Sequence, residues 1–142
     1  MGHIGRTMAR GFIRLAVWLY QRTGGRIGGR MRGAPVLLLT TTGRRSGRPW
    51  TVPVMYQQDG DGWVVIASNG GSDRHPAWWL NLRARPEGTV QIGSGTFPVA
   101  AARTSGAELE RLWRKMVDAY PGYDAYLTKT RRKMPVVLLT RR

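Results

Sequence analysis

The tetrapeptide Asp59-Gly60-Asp61-Gly62, set between the runs Trp50 to Gln57 and Trp63 to Ser68, constrains this chain more than any other feature. Asp-Gly pairs supply the backbone angles of a tight hairpin, and the flanking β-branched and aromatic residues suit strands on either side. Two consecutive antiparallel strands are therefore expected. Further short strands are read at Val36 to Thr42, Thr89 to Ile92, Thr96 to Arg103 and Val136 to Thr140, with Gly93-Ser94-Gly95 as another turn. About six short strands joined by short turns predict an α+β, mainly β chain built on an antiparallel barrel, not on a parallel doubly wound sheet.

Helices punctuate this pattern. Pro76 suits the first turn of a helix running to about Ala84 and stopped by Pro86. Ser105 and Glu108 form a capping-box pattern ahead of Leu109, Leu112, Trp113, Met116 and Tyr120. Pro121-Gly122 ends that helix, and a shorter helical piece is expected from Tyr123 to Thr130. At the N-terminus, Met8, Phe12, Leu15, Ala16 and Leu19 recur at helical spacing, with Arg10, Arg14 and Arg22 elsewhere on the wheel. The glycine-rich stretch Thr23 to Gly33, interleaved with Arg26, Arg30 and Arg32, reads as a mobile basic connector. A length of 142 residues suits one domain. Residues 1–34 would supply the basic amphipathic helix and connector, and residues 35–142 the barrel.

Lys and Arg number 23 against 8 Asp and Glu, a formal net charge of +15, so an anionic partner is expected. Nucleic acid, an acidic membrane surface and a polyanionic small molecule all qualify. The cations are not arranged as a single groove. They gather at the N-terminus, after the first strand, at Arg131-Arg132-Lys133 and at Arg141-Arg142, which makes nucleic acid the least favoured of the three. With no Cys, disulfides, thiol catalysis and thiolate zinc sites are excluded, and a reducing, cytoplasmic compartment is expected. The apolar run Phe12 to Tyr20, broken by Arg14, is far shorter than the roughly 20 residues that span a bilayer. Neither a signal peptide nor a myristoylation signal is read. The N-terminal helix can instead lie on the inner face of the cell membrane or pack on its own domain.

Acid and base chemistry finds few candidates. Asp59 and Asp61 serve a turn, Glu108, Glu110 and Asp118 decorate a helix, and the histidines are His3 and His75. His75 is read as structural or cofactor-neighbouring. No metal cluster or nucleophile triad assembles, so an organic cofactor must carry any difficult step. The segment Thr40-Thr41-Thr42-Gly43-Arg44-Arg45-Ser46-Gly47-Arg48 joins hydroxyls, flexible backbone and guanidinium groups directly after a strand. Such a combination binds phosphate, although the same composition describes a solvated basic hairpin turn. Neither a P-loop nor a dinucleotide fingerprint is present. The second candidate, Ala67 to Leu82, offers small residues that let a flat ring approach the backbone, and Trp78 or Trp79 as a wall or as core.

Together, Leu37 to Tyr56, Ala67 to Leu82 and Tyr120-Pro121-Gly122-Tyr123-x-x-Tyr126 resemble the deazaflavin-dependent nitroreductase family, also called the nitroreductase/quinone reductase family, over roughly residues 10–140. The resemblance implies a split β-barrel related to flavin-binding barrels. It also implies a reduced coenzyme F-420, an 8-hydroxy-5-deazaflavin, that passes hydride to a quinone or nitroaromatic compound. The alternatives are a barrel that uses flavin mononucleotide and a non-catalytic coenzyme carrier, with a basic nucleic-acid-binding barrel less favoured. By motif, Thr42, Gly43, Arg44, Arg45, Ser46 and Arg48 hold the coenzyme's phosphate end, and Pro53 and Met55 lie along the ring-bearing strand. Ala67, Ser68, Asn69 and Gly70 border the deazaflavin, and Trp78 and Asn81 close the pocket. Tyr120, Tyr123 and Tyr126 match the aromatic cluster on the substrate side, with Ser68 or a tyrosine hydroxyl as proton or hydrogen-bond donor. Asn69 departs from the Lys of some relatives, and the coenzyme's oligoglutamate tail is a further partner for the positive charge.

Overall fold

A computed structural model describes residues 2–31 and 33–142, and of residues 2–9 the backbone alone. Its helices are α1 (Gly2–Thr23), α2 (Ala77–Ala84), α3 (Gly106–Ala119) and α4 (Gly122–Tyr126). Its strands are β1 (Arg30–Met31), β2 (Ala34–Thr42), β3 (Pro49–Met55), β4 (Gln57–Asp59), β5 (Gly62–Ile66), β6 (Glu87–Ile92), β7 (Gly95–Arg103) and β8 (Val136–Arg141). They form one curled antiparallel sheet in the order β1-β2-β6-β7-β8-β5-β4, with β3 also paired to β2. The mainly β architecture with flanking helices is the expected one, with two very short strands added.

β2 is the spine. Leu37 and Leu39 point into the barrel core with Val65, Val90, Val99, Val137 and Leu139, while Val36 and Leu38 point outward and are covered by Tyr20 of α1. A strand buried on both faces reads as a continuous apolar run, as Val36 to Leu39 does. β5 is likewise two-faced: Trp63 and Val65 enter the barrel, and Val64 and Ile66 meet Leu112 and Met116 of α3.

The Asp59 to Gly62 turn forms, but the strands it joins differ from expectation. It connects β4 to β5, whereas Pro49–Met55 pairs along its length with β2, Leu38 opposite Pro53 and Thr41 opposite Trp50. The run Trp50 to Gln57 is divided at Tyr56, whose N–H turns to the Pro35 carbonyl (3.1 Å). The presumed connector is also more ordered than its composition implies: Arg30 and Met31 pair with Pro35 and Ala34.

α1 turns a different face inward from the one its spacing indicates. Phe12 and Leu15 are 74% and 53% exposed, whereas Tyr20 is 2% exposed, and Val17 and Ile13 pack with it against the sheet. Met8 lies among the residues whose side chains are not described. Tyr20 decides the orientation. Its hydroxyl lies 2.9 Å from the Val36 carbonyl and 3.2 Å from that of Gln91, and accepts the Gly93 N–H (3.1 Å). A phenol thus satisfied can be buried, and it ties the helix to β2 and the β6–β7 turn. α3 occupies the expected residues, yet the capping box does not close: Gly106 has φ +60° and the Ser105 side chain makes no capping bond.

Candidate functional site

The basic segment is the hairpin loop between β2 and β3. Gly43 N–H donates to Arg48 O (2.8 Å), Gly47 N–H to Gly43 O (2.8 Å) and Arg48 N–H to Ser46 Oγ (3.1 Å), so the loop is internally braced. A Cβ at Gly43 would lie 2.5 Å from Ser46 Oγ and 3.1 Å from the Arg48 carbonyl oxygen, so the braced loop leaves little room for a side chain there. Arg44, Arg45 and Arg48 remain exposed. Arg44 differs from the other two. Its backbone N–H and Nη1 both donate to Asn81 Oδ1 (3.1 and 3.2 Å), and Asn81 Nδ2 donates to Thr41 Oγ1 (3.0 Å). Asn81 is buried and absent from the cavity wall, so it braces this loop from α2.

β3 runs from that loop to a cavity of about 530 Å³ walled by Trp50, Val52, Pro53, Val54 and Met55 on one side. Ser68, Asn69, Gly70, His75 and Trp78 form another wall, and Tyr120, Tyr123 and Tyr126 a third. The volume falls in the usual range for organic-ligand sites, and the lining is mainly apolar with few polar groups, as such sites require. Thr42, Gly43, Arg44, Arg45, Ser46 and Arg48 stand apart from the cavity. Ala67 is wholly buried behind it.

After β5 the backbone enters the left-handed region at Asn69 (φ 48°), Gly70 (φ 64°) and Gly71 (φ 82°). Asn tolerates this conformation better than most residues, and such outliers concentrate at functional sites. Asn69 Nδ2 holds the loop by donating to the Arg74 carbonyl (3.0 Å). Ser68 opens this turn without a side-chain capping bond. Its hydroxyl is thus not committed to the turn while Ser68 lines the cavity.

The tyrosines come together because α3 ends at Tyr120 and α4 immediately carries the other two. Tyr120 and Tyr123 rings meet edge to face at 5.1 Å, Tyr123 and Tyr126 at 6.0 Å, and the Tyr120 and Tyr126 hydroxyls lie 3.4 Å apart. Burial, then Tyr126 and Tyr120, pushes the Tyr123 phenol above the ordinary tyrosine range, so it stays protonated at neutral pH.

Sequence reasoning passed over Ile13, Met31 and Trp50, which also line the cavity. It also missed Arg132, which sits beneath the Ser68 loop. Nothing in Arg131-Arg132-Lys133 distinguishes the middle residue from its exposed neighbours. No grouping of His, Cys, Asp and Glu among the described residues could hold a metal ion. Among the same residues, no helix is long and apolar enough to cross a membrane.

A family model described as F420H(2)-dependent quinone reductase matches residues 12–141. The chain is 40% identical over 134 residues to an F420H(2)-dependent quinone reductase of Mycobacterium tuberculosis, covering 92% of this chain and 90% of that protein. A solved F420-H2 dependent reductase matches with TM-score 0.69 and 40% identity, over 74% of this chain and 93% of its own. A FAD-binding protein from Mesorhizobium loti shares the fold, with TM-score 0.54 at 14% identity over 75% of this chain and 78% of its own.

Proposed function

The chain belongs to the F420H(2)-dependent quinone reductase family, and we infer from this membership that it is an oxidoreductase transferring hydride from reduced coenzyme F-420 to a quinone. The observation that carries the assignment to a site is the course of β3, which joins an exposed, braced arginine loop to an aromatic-walled cavity. This geometry fits an elongated coenzyme with a phosphate at one end and a flat ring at the other.

When bound, the coenzyme supplies a hydride. Arg45 and Arg48, with Ser46, would hold its phosphate by charge-assisted hydrogen bonds, while Arg44, engaged by Asn81, keeps the loop in shape. Pro53 and Met55 along β3, the Ser68 to Gly70 backbone and Trp78 would border the ring. The tyrosine cluster would place the acceptor against it and exclude water. Tyr123, whose phenol holds its proton, or the Ser68 hydroxyl would donate to an acceptor oxygen as negative charge develops there. Aromatic walls also suit nitroaromatic acceptors.

The exposed stripe of Phe12, Leu15 and Trp18 on α1 supports docking to an anionic membrane, the medium that holds apolar quinones. The net charge of +15 favours the same surface. The assay of the whole reading is titration of oxidised coenzyme F-420 against flavin mononucleotide, followed by an anaerobic quinone screen with the reduced coenzyme. Saturable binding of the deazaflavin and quinone-dependent oxidation are expected. Binding of flavin mononucleotide alone would overturn it.

A further inference from the structure

The side chain of Arg132 reaches from the segment after α4 to the loop that follows β5. Its Nη1 donates to the Ala67 carbonyl (3.1 Å), its Nη2 to the Ser68 carbonyl (2.8 Å) and its Nε to the Ser72 carbonyl (3.0 Å). Nη1 also lies 2.9 Å from Nδ1 of His75. A guanidinium has donors only and does not lose its proton in proteins. In this contact Nδ1 of His75 must therefore be the acceptor, which leaves the imidazole neutral with its proton on Nε2. His75 belongs to the same cavity wall as Ser68 and Trp78. With Nδ1 occupied, Nε2–H is the one polar group the ring has left to offer a bound molecule.

The surroundings keep the ring in that state. Burial opposes the charged form, and the positive charges of Arg132, Arg83 and Arg103 oppose it further. The acidic group near this assembly is Asp73, which acts on Arg132 and lies on the exposed part of the loop. All the shifts on His75 thus run in one direction, toward the neutral ring.

The geometry points to Arg132 as a positioning residue that locks His75 as a neutral Nε2–H donor, aimed at a carbonyl oxygen of the molecule held in the cavity. That oxygen belongs either to the coenzyme ring or to the quinone. The ligand half of this inference rests on the function proposed above, whereas the state of His75 does not.

The protein has two histidines, so a His3→Gln background isolates the His75 signal in a long-range nitrogen–proton spectrum of labelled protein without coenzyme. The expected pattern at neutral pH is the Nε2–H tautomer, still neutral where an ordinary histidine, pKa about 6.5, is half charged. Arg132→Met should release the lock, letting the ring exchange tautomers and titrate closer to the ordinary value. Arg132→Lys should restore neutrality only in part, keeping the charge but not the fork. An Nδ1–H tautomer or an imidazolium in the unsubstituted protein overturns the inference.

The donor role is tested separately. His75→Phe, which keeps the ring but removes the donor, should raise one binding constant by about tenfold, and His75→Gln, with an N–H near the Nε2 position, should recover most of that loss. A weaker coenzyme dissociation constant identifies the ring carbonyl, and a higher quinone KM alone identifies the quinone. Unchanged constants in His75→Phe would refute the donor role. Failure of the unsubstituted protein to bind coenzyme would instead refute the proposed function, leaving the spectrum to judge the tautomer.

Discussion

Asn81 accepts two hydrogen bonds from Arg44 while donating one to Thr41. One buried amide therefore fixes both the end of β2 and the loop that follows it. Asn81→Leu leaves Thr41 and the Arg44 backbone without their partner, at a cost of about 1–3 kcal/mol. Thermal denaturation should show that loss. Coenzyme titration should show weaker binding, although Asn81 lines no part of the cavity.

Arg45 and Arg48 are free of this brace, so their substitution should act on the ligand and not on the fold. Each change to Ala is expected to raise the coenzyme dissociation constant about tenfold or more, with the midpoint of unfolding unmoved. Salt titrations provide a second measurement, since loss of a phosphate contact makes binding less sensitive to ionic strength. Unaltered affinity in both Arg45→Ala and Arg48→Ala would remove the phosphate assignment.

Tyr123→Phe separates chemistry from binding. Loss of a proton donor should reduce turnover by about a hundredfold, with much less effect on coenzyme affinity. The buried phenol also links folding to pH. Its pKa is raised in the folded protein, so the folded form retains a proton that the unfolded chain releases from about pH 10. The resulting stabilisation is complete below that value and is lost as pH rises beyond it. Melting curves across the alkaline range should therefore fall more steeply for the natural protein than for Tyr123→Phe.

Asp59 should contribute modestly to the acid limb. Arg111 grips its carboxylate through both oxygens (2.8 and 3.0 Å) and Lys115 adds a third contact (3.2 Å), holding its pKa at about 2. Stability from this cluster is present above the unfolded value of about 4 and fades as pH falls toward 2. Asp59→Asn should flatten the loss of stability in that window. The effect at neutral pH should be small, because solvent screens a pair this close to the surface.

The parts legible in the sequence were those set by local chemistry. The Asp59 to Gly62 turn, the stop at Pro121-Gly122 and the clustering of glycine and arginine at Gly43 to Arg48 all depend on neighbours along the chain. What failed depended on distant partners. A turn identifies the strands beside it, but β3 pairs with β2 through the other hairpin, and only the assembled sheet reveals that choice. α1 is apolar over more than one stripe, so spacing alone cannot select the buried one, and the deciding hydrogen bonds of Tyr20 reach residues as far off as Gly93. For the site, motif likeness had Asn81 closing the pocket with Trp78, whereas its side chain lies off the cavity wall and bonds with Arg44 across 37 positions. Arg132 was invisible for the same reason: its partners are carbonyls some 60 or more residues earlier in the chain.

Ile13 faces the cavity from the same helix that presents Phe12, Leu15 and Trp18 to the exterior. A helix with its side chains is about 10–12 Å across, so if α1 docks on a membrane as proposed, the thickness of this one helix would separate the hydrocarbon from the cavity. A quinone with a long apolar tail would then need to bring only its headgroup past Ile13 and Met31, which line the cavity, its tail never entering water.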